Sequence, residues 1–460
     1  MSSDTSRTSR RDFIVTGTKA TAGIAAGSLI ASKASALPAP SSGAGIQGAN
    51  DRINLAVVGI RSRGSALMTG FANLPGVHIK TIVDIDENLF APTIAKLDGI
   101  QDTPPGTEYD LRRMLEDSEV DAVAIAAPNH WHALASIWSI QAGKHVYVEK
   151  PSCHNIFEGV KIVEAQEKYG TIVAVGTQNR SLRNVRNAMN FLHDGGIGEV
   201  YMAKGLCYKP RDSIGRFPDS TVPAGVHYDI WLGPAPDRPF NENRFHYNWH
   251  WHWDYGNGDI GNQGPHQWDI ARWGLGEEGP PRFIHSSGGY YAFDCAQETP
   301  NTQFAELEYD DGKILQFEVR GLYTNDENGI LIGNLFYGSE GWMHLNGTTW
   351  KTYFGRSNEP GPSSDTVEEM ADPMDLGGAG GGNHFGNFIA ALRTGKQEDL
   401  TGPIQSSYKS DTLHHMANIS YRVGRKLEYD ATRHEFKGDS EATALMTRNY
   451  RRPFVVPEQV

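Results

Sequence analysis

Short runs of apolar, β-branched residues alternate with helical stretches in the first half of this chain, and no other feature constrains the fold as much. The runs that predict buried strands are 53–58, 77–83, 120–127, 145–148 and 171–175. Strands that alternate with helices in this way are typical of a doubly wound parallel sheet. We therefore predict an α/β fold with a doubly wound N-terminal domain over residues 51–180.

A lysine follows the fourth of these strands. Glu149 and Lys150 are adjacent, so on a strand they point to opposite faces and cannot both enter the core. Pro151 ends the strand because it has no N–H to donate. In an open α/β sheet the carboxyl ends of the strands bind ligands, which makes Lys150 a candidate functional residue. The alternative is a solvated turn at a strand end.

The first strand leads into the turn GIRSRG, which opens with Gly59 and closes with Gly64. Gly59 allows the tight turn, the following helix start offers free N–H groups to a pyrophosphate, and Asp84 after the second strand can accept both ribose hydroxyls. Arg61 replaces the middle glycine of the dinucleotide-binding pattern. The loop must therefore accommodate the pyrophosphate in another way, in which Arg61 or Arg63 pairs with a phosphate. The alternative is an α/β turn without nucleotide.

Length and composition set the broad class. With 460 residues, 39% hydrophobic and 21% charged, the chain is globular, and two domains are expected. A formal net charge of -13 argues against a nucleic-acid partner. The three cysteines provide neither a disulfide framework nor zinc spacing, and we predict no metal site. Outside the N-terminal segment, no apolar run is long enough to span a membrane.

The N-terminal residues indicate export. Arg10 and Arg11 precede a mildly apolar run over 15–30, and Ala34-Ser35-Ala36 matches a signal-peptidase site. This order resembles bacterial Tat signals, so residues 1–36 are predicted to be a signal peptide recognised by the Tat translocase, with a periplasmic destination. Residues 37–50 are rich in Pro, Gly and Ser and predict a flexible arm. The alternative is a disordered basic tail.

The second half, 181–460, carries candidate substrate residues. Tyr208, Lys209 and Arg211 follow a predicted strand, and the motif NWHWHWD occupies 248–254. If this motif is extended, its tryptophans share one face and its histidines the other. Aromatic faces beside hydrogen-bonding groups suit sugar rings, so Trp251 and Trp253 become candidates. Tryptophans of the core, or a histidine metal cluster, are the alternatives.

Further along, alternating apolar residues and glycine-containing turns over 282–350 predict antiparallel strands. The glycine-rich stretch 377–382 is predicted to be a linker, since it lacks the strand and lysine of a phosphate-binding loop. Helices are predicted over 383–394 and 406–426.

Several of these motifs together resemble the Gfo/Idh/MocA oxidoreductases. The resemblance rests on AAPNHWHALA over 126–135, GKHVYVEKP over 143–151 and the strand before Gln178. It implies a Rossmann domain followed by a C-terminal α/β domain with an open, mostly antiparallel sheet. It also implies that Lys150 is catalytic beside the nicotinamide. The candidate cofactor residues are Gly59, Arg61, Arg63, Gly64, Asp84, Pro128, Asn129, His132, Glu149, Lys150 and Gln178. The signal and arm resemble those of periplasmic glucose-fructose oxidoreductase, a member that keeps its cofactor bound.

The resemblance includes a second signature, in which an Asp precedes a His by four positions at a helix start. His266 fits the histidine, while Asn262 stands at the Asp position. A carboxylate would raise the pKa of the histidine and fix its tautomer, whereas an amide does only the second. His266 is thus a candidate base beside Lys150, with a helix-capping or core histidine as the alternative. Asn262 and Gln263 join the candidate substrate residues.

We therefore expect a periplasmic NAD-dependent oxidoreductase that acts on a hydroxyl of a sugar or sugar derivative, with tightly retained cofactor and a homo-oligomeric assembly. NAD is expected over NADP because Asp84 repels a 2′-phosphate. One alternative is a glycosidase or lyase that oxidises its sugar only transiently. Another is a sugar-binding protein without catalysis.

Overall fold

The computed structural model describes residues 52–347, 349–367 and 383–460. The predicted signal peptide, the arm over 37–50 and the linker over 377–382 lie outside these residues. Within the described part of the chain, no helix has the length and apolar character needed to cross a bilayer.

A six-stranded parallel sheet forms the N-terminal domain. Its strand order is 3-2-1-4-5-6, and the order reverses between the first and fourth strands. This is the Rossmann order, and it confirms the predicted doubly wound sheet. The strands are β1 (Ile53–Val58), β2 (Val77–Val83), β3 (Gly106–Glu108), β4 (Ala122–Ile125), β5 (His145–Val148) and β6 (Val173–Val175). The helices are α1 (Arg63–Ala72), α2 (Phe90–Ile94), α3 (Leu111–Leu115), α4 (Asn129–Gln141) and α5 (Ile156–Tyr169).

Both faces of this sheet are covered, which explains why its strands are apolar almost throughout. Along β1, Leu55 and Val57 face one core and Ala56 and Val58 the other, and all four are buried. Because successive strand residues point to opposite faces, a strand buried on both sides needs an unbroken apolar run.

A ten-stranded mixed sheet forms the second domain. Its order is 14-13-12-11-7-10-9-8-15-16, and every pair but one of those described, β7 with β10, is antiparallel. The strands are β7 (Val200–Cys207), β8 (Phe283–Gly289), β9 (Thr302–Glu308), β10 (Ile314–Arg320), β11 (Ile332–Gly338), β12 (Gly341–Leu345), β13 (Trp350–Phe354), β14 (Glu359–Ser363), β15 (Leu427–Asp430) and β16 (Glu435–Phe436). The helices are α6 (Arg183–His193), α7 (Tyr228–Leu232), α8 (Gly258–Asn262), α9 (Gly264–Leu275), α10 (His384–Thr394), α11 (Ile404–Val423) and α12 (Ser440–Ala444). The predicted mostly antiparallel sheet is confirmed.

Residues near the C-terminus pack into the N-terminal domain. The predicted domain boundary at residue 180 does not include them. Phe388 and Leu392 of α10 are fully buried in the core that also contains Leu55 and Val57. On the other face, Phe454 packs edge-on against Trp131. These contacts join segments far apart in sequence, so no local pattern signals them.

A buried ion pair fastens α9 to the end of the parallel sheet. Arg180, just after β6, donates from Nε and Nη2 to the two carboxylate oxygens of Asp269 at 2.6 and 2.8 Å. Ser410 of α11 donates to the same carboxylate at 2.6 Å. Burial alone would raise the pKa of Asp269, but Arg180 and Ser410 lower it below its usual value. The pair therefore holds α9, and with it His266, in a fixed position relative to β5 and β6.

We expect Asp269→Asn to lower the free energy of unfolding by about 3–5 kcal/mol, because it leaves the buried Arg180 charge uncompensated. Glu435→Gln removes one partner of an exposed pair with Arg433 and should cost about 0–1 kcal/mol. Urea titrations of both variants and the wild type measure the difference. Equal unfolding midpoints for Asp269→Asn and Glu435→Gln would contradict the account.

Candidate active site

A cavity of about 440 Å³ lies at the carboxyl ends of β1, β2, β4 and β5. Parallel sheets bind ligands at this edge, next to the point where the strand order reverses. From the N-terminal domain the cavity is lined by Val58, Gly59, Arg61, Ser62, Arg63, Val83, Asp84, Ile85, Asp86, Leu89, Tyr109, Leu111, Ala126, Ala127, Pro128, Asn129, Trp131, His132, Ala135, Glu149, Lys150 and Gln178. From the second domain it is lined by Ile230, Trp231, Phe245, His246, Tyr247, Trp249, His250, Asn262 and His266.

The turn after β1 brings the backbone close to the cavity. Gly59 has φ +77°, and a Cβ there would lie 2.8 Å from the carbonyl oxygen of Ala126. A Cβ on Gly64 would lie 1.6 Å from the carbonyl oxygen of Gly59. Neither position accepts a side chain, so the start of α1 stays open to a ligand. These features fit the pyrophosphate of a dinucleotide, whose oxygens accept from free N–H groups at a helix start.

The two arginines of this turn have different surroundings. Arg63 donates to Oε1 of Glu149 from Nε at 2.8 Å and forms an ion pair from Nη2 at 2.7 Å. Burial alone would lower the pKa of Arg63, but Glu149 raises it. Arg61 is exposed where it lines the cavity. Of the two arginines expected to meet a phosphate, Arg61 is therefore better placed, while Arg63 orients Glu149.

Asp84 is held at the cavity edge by the backbone. Its Oδ2 accepts from the N–H of Ile60 at 2.8 Å and its Oδ1 from the N–H of Asp86 at 3.0 Å. Burial raises the pKa of Asp84 to about 6, although both N–H groups oppose the shift. Each carboxylate oxygen keeps a second lone pair, so the ionised group can still accept ribose hydroxyls.

Residues after β4 and β6 complete the N-terminal part of the lining. Nδ2 of Asn129 is buried and finds no hydrogen-bond partner among the described residues, so it can donate to a ligand. The ring nitrogens of His132 lie 2.6 and 2.7 Å from the carbonyl oxygens of Pro151 and Ala127. Gln178 donates to Glu149 at 3.1 Å. His132 and Gln178 thus fix the backbone and the carboxylate on either side of Lys150.

Lys150 reaches across to the second domain. Its Nζ donates to the carbonyl oxygen of Asn262 at 2.7 Å. Burial lowers the pKa of Lys150, while the charges of Glu149, Asp259 and Asp411 oppose that shift. The opposing carboxylates favour the ammonium form, whereas burial makes the neutral amine easier to reach. A lysine in this setting can both stabilise developing negative charge and exchange a proton.

His266 lies in the same cavity, near the start of α9. Its Nδ1 is buried without a hydrogen-bond partner in the described part of the chain. Burial, and then the charge of Lys150, lower the pKa of His266 to about 3. The imidazole is therefore neutral at physiological pH. Because the ring lines the cavity, it can contact a substrate hydroxyl there.

Asn262 offers an amide where the family signature has an aspartate, and this amide hydrogen-bonds a neighbouring acid. Its Nδ2 donates to Oδ1 of Asp259 at 3.3 Å, and Asp259 is paired with Arg211 at 2.7 and 2.8 Å. Arg211 also donates to the hydroxyl of Tyr247 at 3.1 Å. The acid of α8 therefore orients Arg211 and, through it, Tyr247.

Several expected substrate residues lie outside the cavity. Tyr208 is buried and donates to Glu318 and Glu327. Trp251 is buried beneath the guanidinium of Arg211. The structure also places Lys209, Trp253 and Gln263 away from the lining, whereas Arg211 borders it through Tyr247.

The NWHWHWD motif is not extended as expected. Asn248–Trp251 forms a 3-10 helix, in which the N–H of His250 donates to the carbonyl of Tyr247. Helical turning replaces the two-residue period, so Trp249 and His250 face the cavity together, with stacked rings 3.6 Å apart. Tyr247, Trp249 and His250 are the cavity residues that a strand-based interpretation missed. Within the described residues, no group of His, Cys, Asp or Glu is arranged to hold a metal ion.

Two matches identify the chain's relatives. Residues 53–177 match a model described as oxidoreductase family, NAD-binding Rossmann fold, of the Gfo/Idh/MocA group. Residues 211–315 and 322–456 match the model described as oxidoreductase family, C-terminal alpha/beta domain. The chain belongs to the Gfo/Idh/MocA oxidoreductase family. The predicted family and its NAD cofactor are confirmed.

Similar proteins include a glycosyl hydrolase family 109 protein from Shewanella pealeana, 29% identical over 201 residues, which are 42% of this chain and 44% of the relative. The chain thus spans less than half the length of this curated relative. Among solved structures, the WlbA dehydrogenase from Bordetella pertussis with NADH and UDP-GlcNAcA has a TM-score of 0.60 at 19% identity, over 82% of this chain and 99% of that chain. Levoglucosan dehydrogenase with NADH and levoglucosan has a TM-score of 0.62 at 18% identity, with the same coverage of 82% and 99%. These two structures share the fold.

We expect NAD binding to weaken as the pH falls through about 6, the raised pKa of Asp84. Below that pH the carboxyl is protonated and accepts ribose hydroxyls less well, so affinity should fall by up to about tenfold per pH unit. Calorimetric titration of cofactor-free protein from pH 5 to 8 measures this.

Asp84→Asn should bind NAD weakly with no such pH dependence and lose preference over NADP, whereas the exposed control Asp98→Asn should behave like wild type. An unchanged slope in Asp84→Asn would rule out this carboxyl as the titrating group.

Proposed function

We propose that this Gfo/Idh/MocA protein is a NAD-dependent oxidoreductase that acts on a hydroxyl of a sugar or sugar derivative. The observation that carries the proposal is the meeting of Lys150 and His266 in the cofactor cavity, contributed by different domains. Both side chains present nitrogen atoms suited to a substrate hydroxyl.

When bound, NAD supplies the hydride acceptor for a carbinol carbon. Lys150 donates a hydrogen bond to the substrate oxygen and stabilises the negative charge that develops there. His266 is neutral because burial lowers its pKa to about 3, and its ring can hydrogen-bond the substrate oxygen and orient it. As the hydride leaves the carbon, the hydroxyl proton passes to the amine form of Lys150, which its lowered pKa makes easier to reach, and the resulting ammonium donates to the substrate oxygen.

The remaining lining suits a sugar ring. Trp249 offers an aromatic face to ring C–H groups, and the hydroxyl of Tyr247, oriented by Arg211, can pair with a sugar hydroxyl. His250 stacks on Trp249 and fixes its orientation.

A second candidate function uses the same site in a closed cycle. The protein would oxidise a glycoside transiently, cleave it by elimination or hydrolysis, and return the hydride. The similarity to proteins named glycosyl hydrolase family 109 favours this candidate. A non-catalytic sugar-binding role is the third candidate, and the retained Lys150 and His266 argue against it.

Product analysis separates the three functions. Wild-type protein with a panel of nitrophenyl and methyl glycosides should yield a ketone with net NADH if the reaction is a net oxidation. Cleaved aglycone without net NADH supports the transient cycle. Binding of a sugar with neither product would contradict both enzymatic functions.

We also propose export through the Tat translocase to the periplasm, supported by Arg10 and Arg11 ahead of a weakly apolar run. Arg10→Lys together with Arg11→Lys should leave unprocessed protein in the cytoplasm. Cell fractionation with N-terminal sequencing measures this, and a periplasmic chain starting near Leu37 in that variant would contradict the proposal. A homo-oligomer stays a prediction, which light scattering tests.

Lys150→Met should slow reduction of bound NAD about a hundredfold or more, because the charge that stabilises the developing alkoxide is removed. The apolar stem is largely preserved, so folding and cofactor content should persist. Lys351→Met, at an exposed position on β13, is the matched control. Single-turnover absorbance of NAD-loaded protein measures the step. A folded, loaded Lys150→Met variant that reacts as fast as the control would end the proposed mechanism.

A further inference from the structure

A short segment of the second domain lies over one end of the cofactor cavity. Residues 223–232, called the cap here, contribute Ile230 and Trp231 to the lining. The same cavity is lined by Ile85, just after Asp84, and by Leu111. Because the acid after the second strand binds the adenosine ribose, this end of the cavity is where the adenosine half of NAD would lie.

The cap pairs with the backbone that follows Asp84. The N–H of His227 donates to the carbonyl of Ile85 at 2.8 Å, and the N–H of Glu87 donates to the carbonyl of Gly225 at 2.9 Å. These two bonds flank an antiparallel bridge between Asp86 and Val226. The cap thus joins the backbone next to the ribose-binding acid through one antiparallel bridge, and α7 follows directly after that bridge.

Side chains reinforce this pairing. Nε2 of His227 donates to Oε1 of Glu87 at 2.6 Å, and the His227 ring stacks on Tyr109 with centroids 3.8 Å apart. Asn88 donates to the carbonyl of Ala224 at 3.0 Å. Tyr109 itself lines the cavity, so the cap contacts the cavity wall directly.

The other end of the cap is fastened to α4 and to the end of the chain. Nε1 of Trp131 donates to the carbonyls of Ile230 and Trp231, both at 3.0 Å. Arg451 donates from Nε to the carbonyl of Gly233 at 3.0 Å and from Nη1 to Asp229 at 2.6 Å. The cap is therefore held at both ends, and residues near the C-terminus serve as one of its anchors.

We infer that the cap retains NAD by closing over its adenosine half. With both ends of the cap attached, the adenosine end is released only when at least one set of these contacts opens. The inference rests on the proposed function, together with the expectation that the exported enzyme keeps its cofactor through turnover. It assigns that retention to His227 and Arg451, which do not line the cavity.

Release of NAD is measured by loading each protein with NAD and following exchange against excess isotope-labelled NAD by mass spectrometry. His227→Ala and Arg451→Ala should each speed exchange by about tenfold, since changes in contacts act mainly on dissociation rates. The controls are His285→Ala and Arg433→Ala, at exposed positions on β8 and after β15. Exchange at the control rate in both cap variants would overturn the inference.

A disulfide that holds the cap closed should slow NAD exchange. Asp86 and Val226 are directly opposed without mutual backbone hydrogen bonds, a geometry with Cα atoms about 4.5 Å apart that a disulfide can bridge. Asp86→Cys with Val226→Cys, oxidised by oxidised glutathione, should exchange NAD at least about tenfold more slowly than the same protein reduced. Equal rates in a variant with a verified disulfide would overturn the inference.

The wild-type rate separates this inference from the proposed function. Exchange within minutes in the wild type would contradict retention of NAD through turnover. The exchange rates of the cap variants relative to the wild type would still show whether the cap slows NAD release. Slow exchange in the wild type and in both alanine variants would leave retention supported and show that the cap is not its cause.

Discussion

The candidate active site depends on the buried ion pair between Arg180 and Asp269. Lys150 follows β5 of the parallel sheet and His266 lies on α9, so the two meet only if α9 packs against the residues that follow β6. The bidentate pair, with Ser410 as a third partner, fixes that docking. Breaking such a pair leaves a buried charge without a partner, which is energetically costly. The pair therefore stabilises the position of α9 relative to the parallel sheet. The bond from Lys150 to Asn262 then completes the contact.

Burial sets the protonation of the two candidate catalytic groups. It lowers the pKa of both Lys150 and His266, but the carboxylates near Lys150 partly restore its charge, whereas Lys150 lowers the pKa of His266 further. The result is a lysine whose protonated form is supported by nearby carboxylates, beside a neutral imidazole. This division of roles follows from the neighbours of each group, since Asn262 supplies no carboxylate to raise the pKa of the histidine.

Sequence alone predicted the parallel sheet, the antiparallel sheet and the family, because apolar runs and strand-end residues are local signals. It placed Lys150, Asp84 and His266 in regions that the structure brings into one cavity. It misplaced Trp251 because a 3-10 turn replaces the strand period over Asn248–Trp251. The packing of α10 on the Rossmann core and the position of the cap depend on contacts between residues far apart in sequence. Such contacts leave no periodic pattern of apolar residues that could predict them.

Hydride transfer is the central claim, and isotope transfer tests it most directly. Whichever glycoside reacts is prepared with deuterium on its ring carbons and mixed with NAD-loaded protein for a single turnover. The account predicts that cofactor recovered by rapid quenching before any hydride is returned carries one deuterium on its nicotinamide in wild type, with little label in Lys150→Met. Product formation in which the cofactor carries no label at any quench time would contradict it.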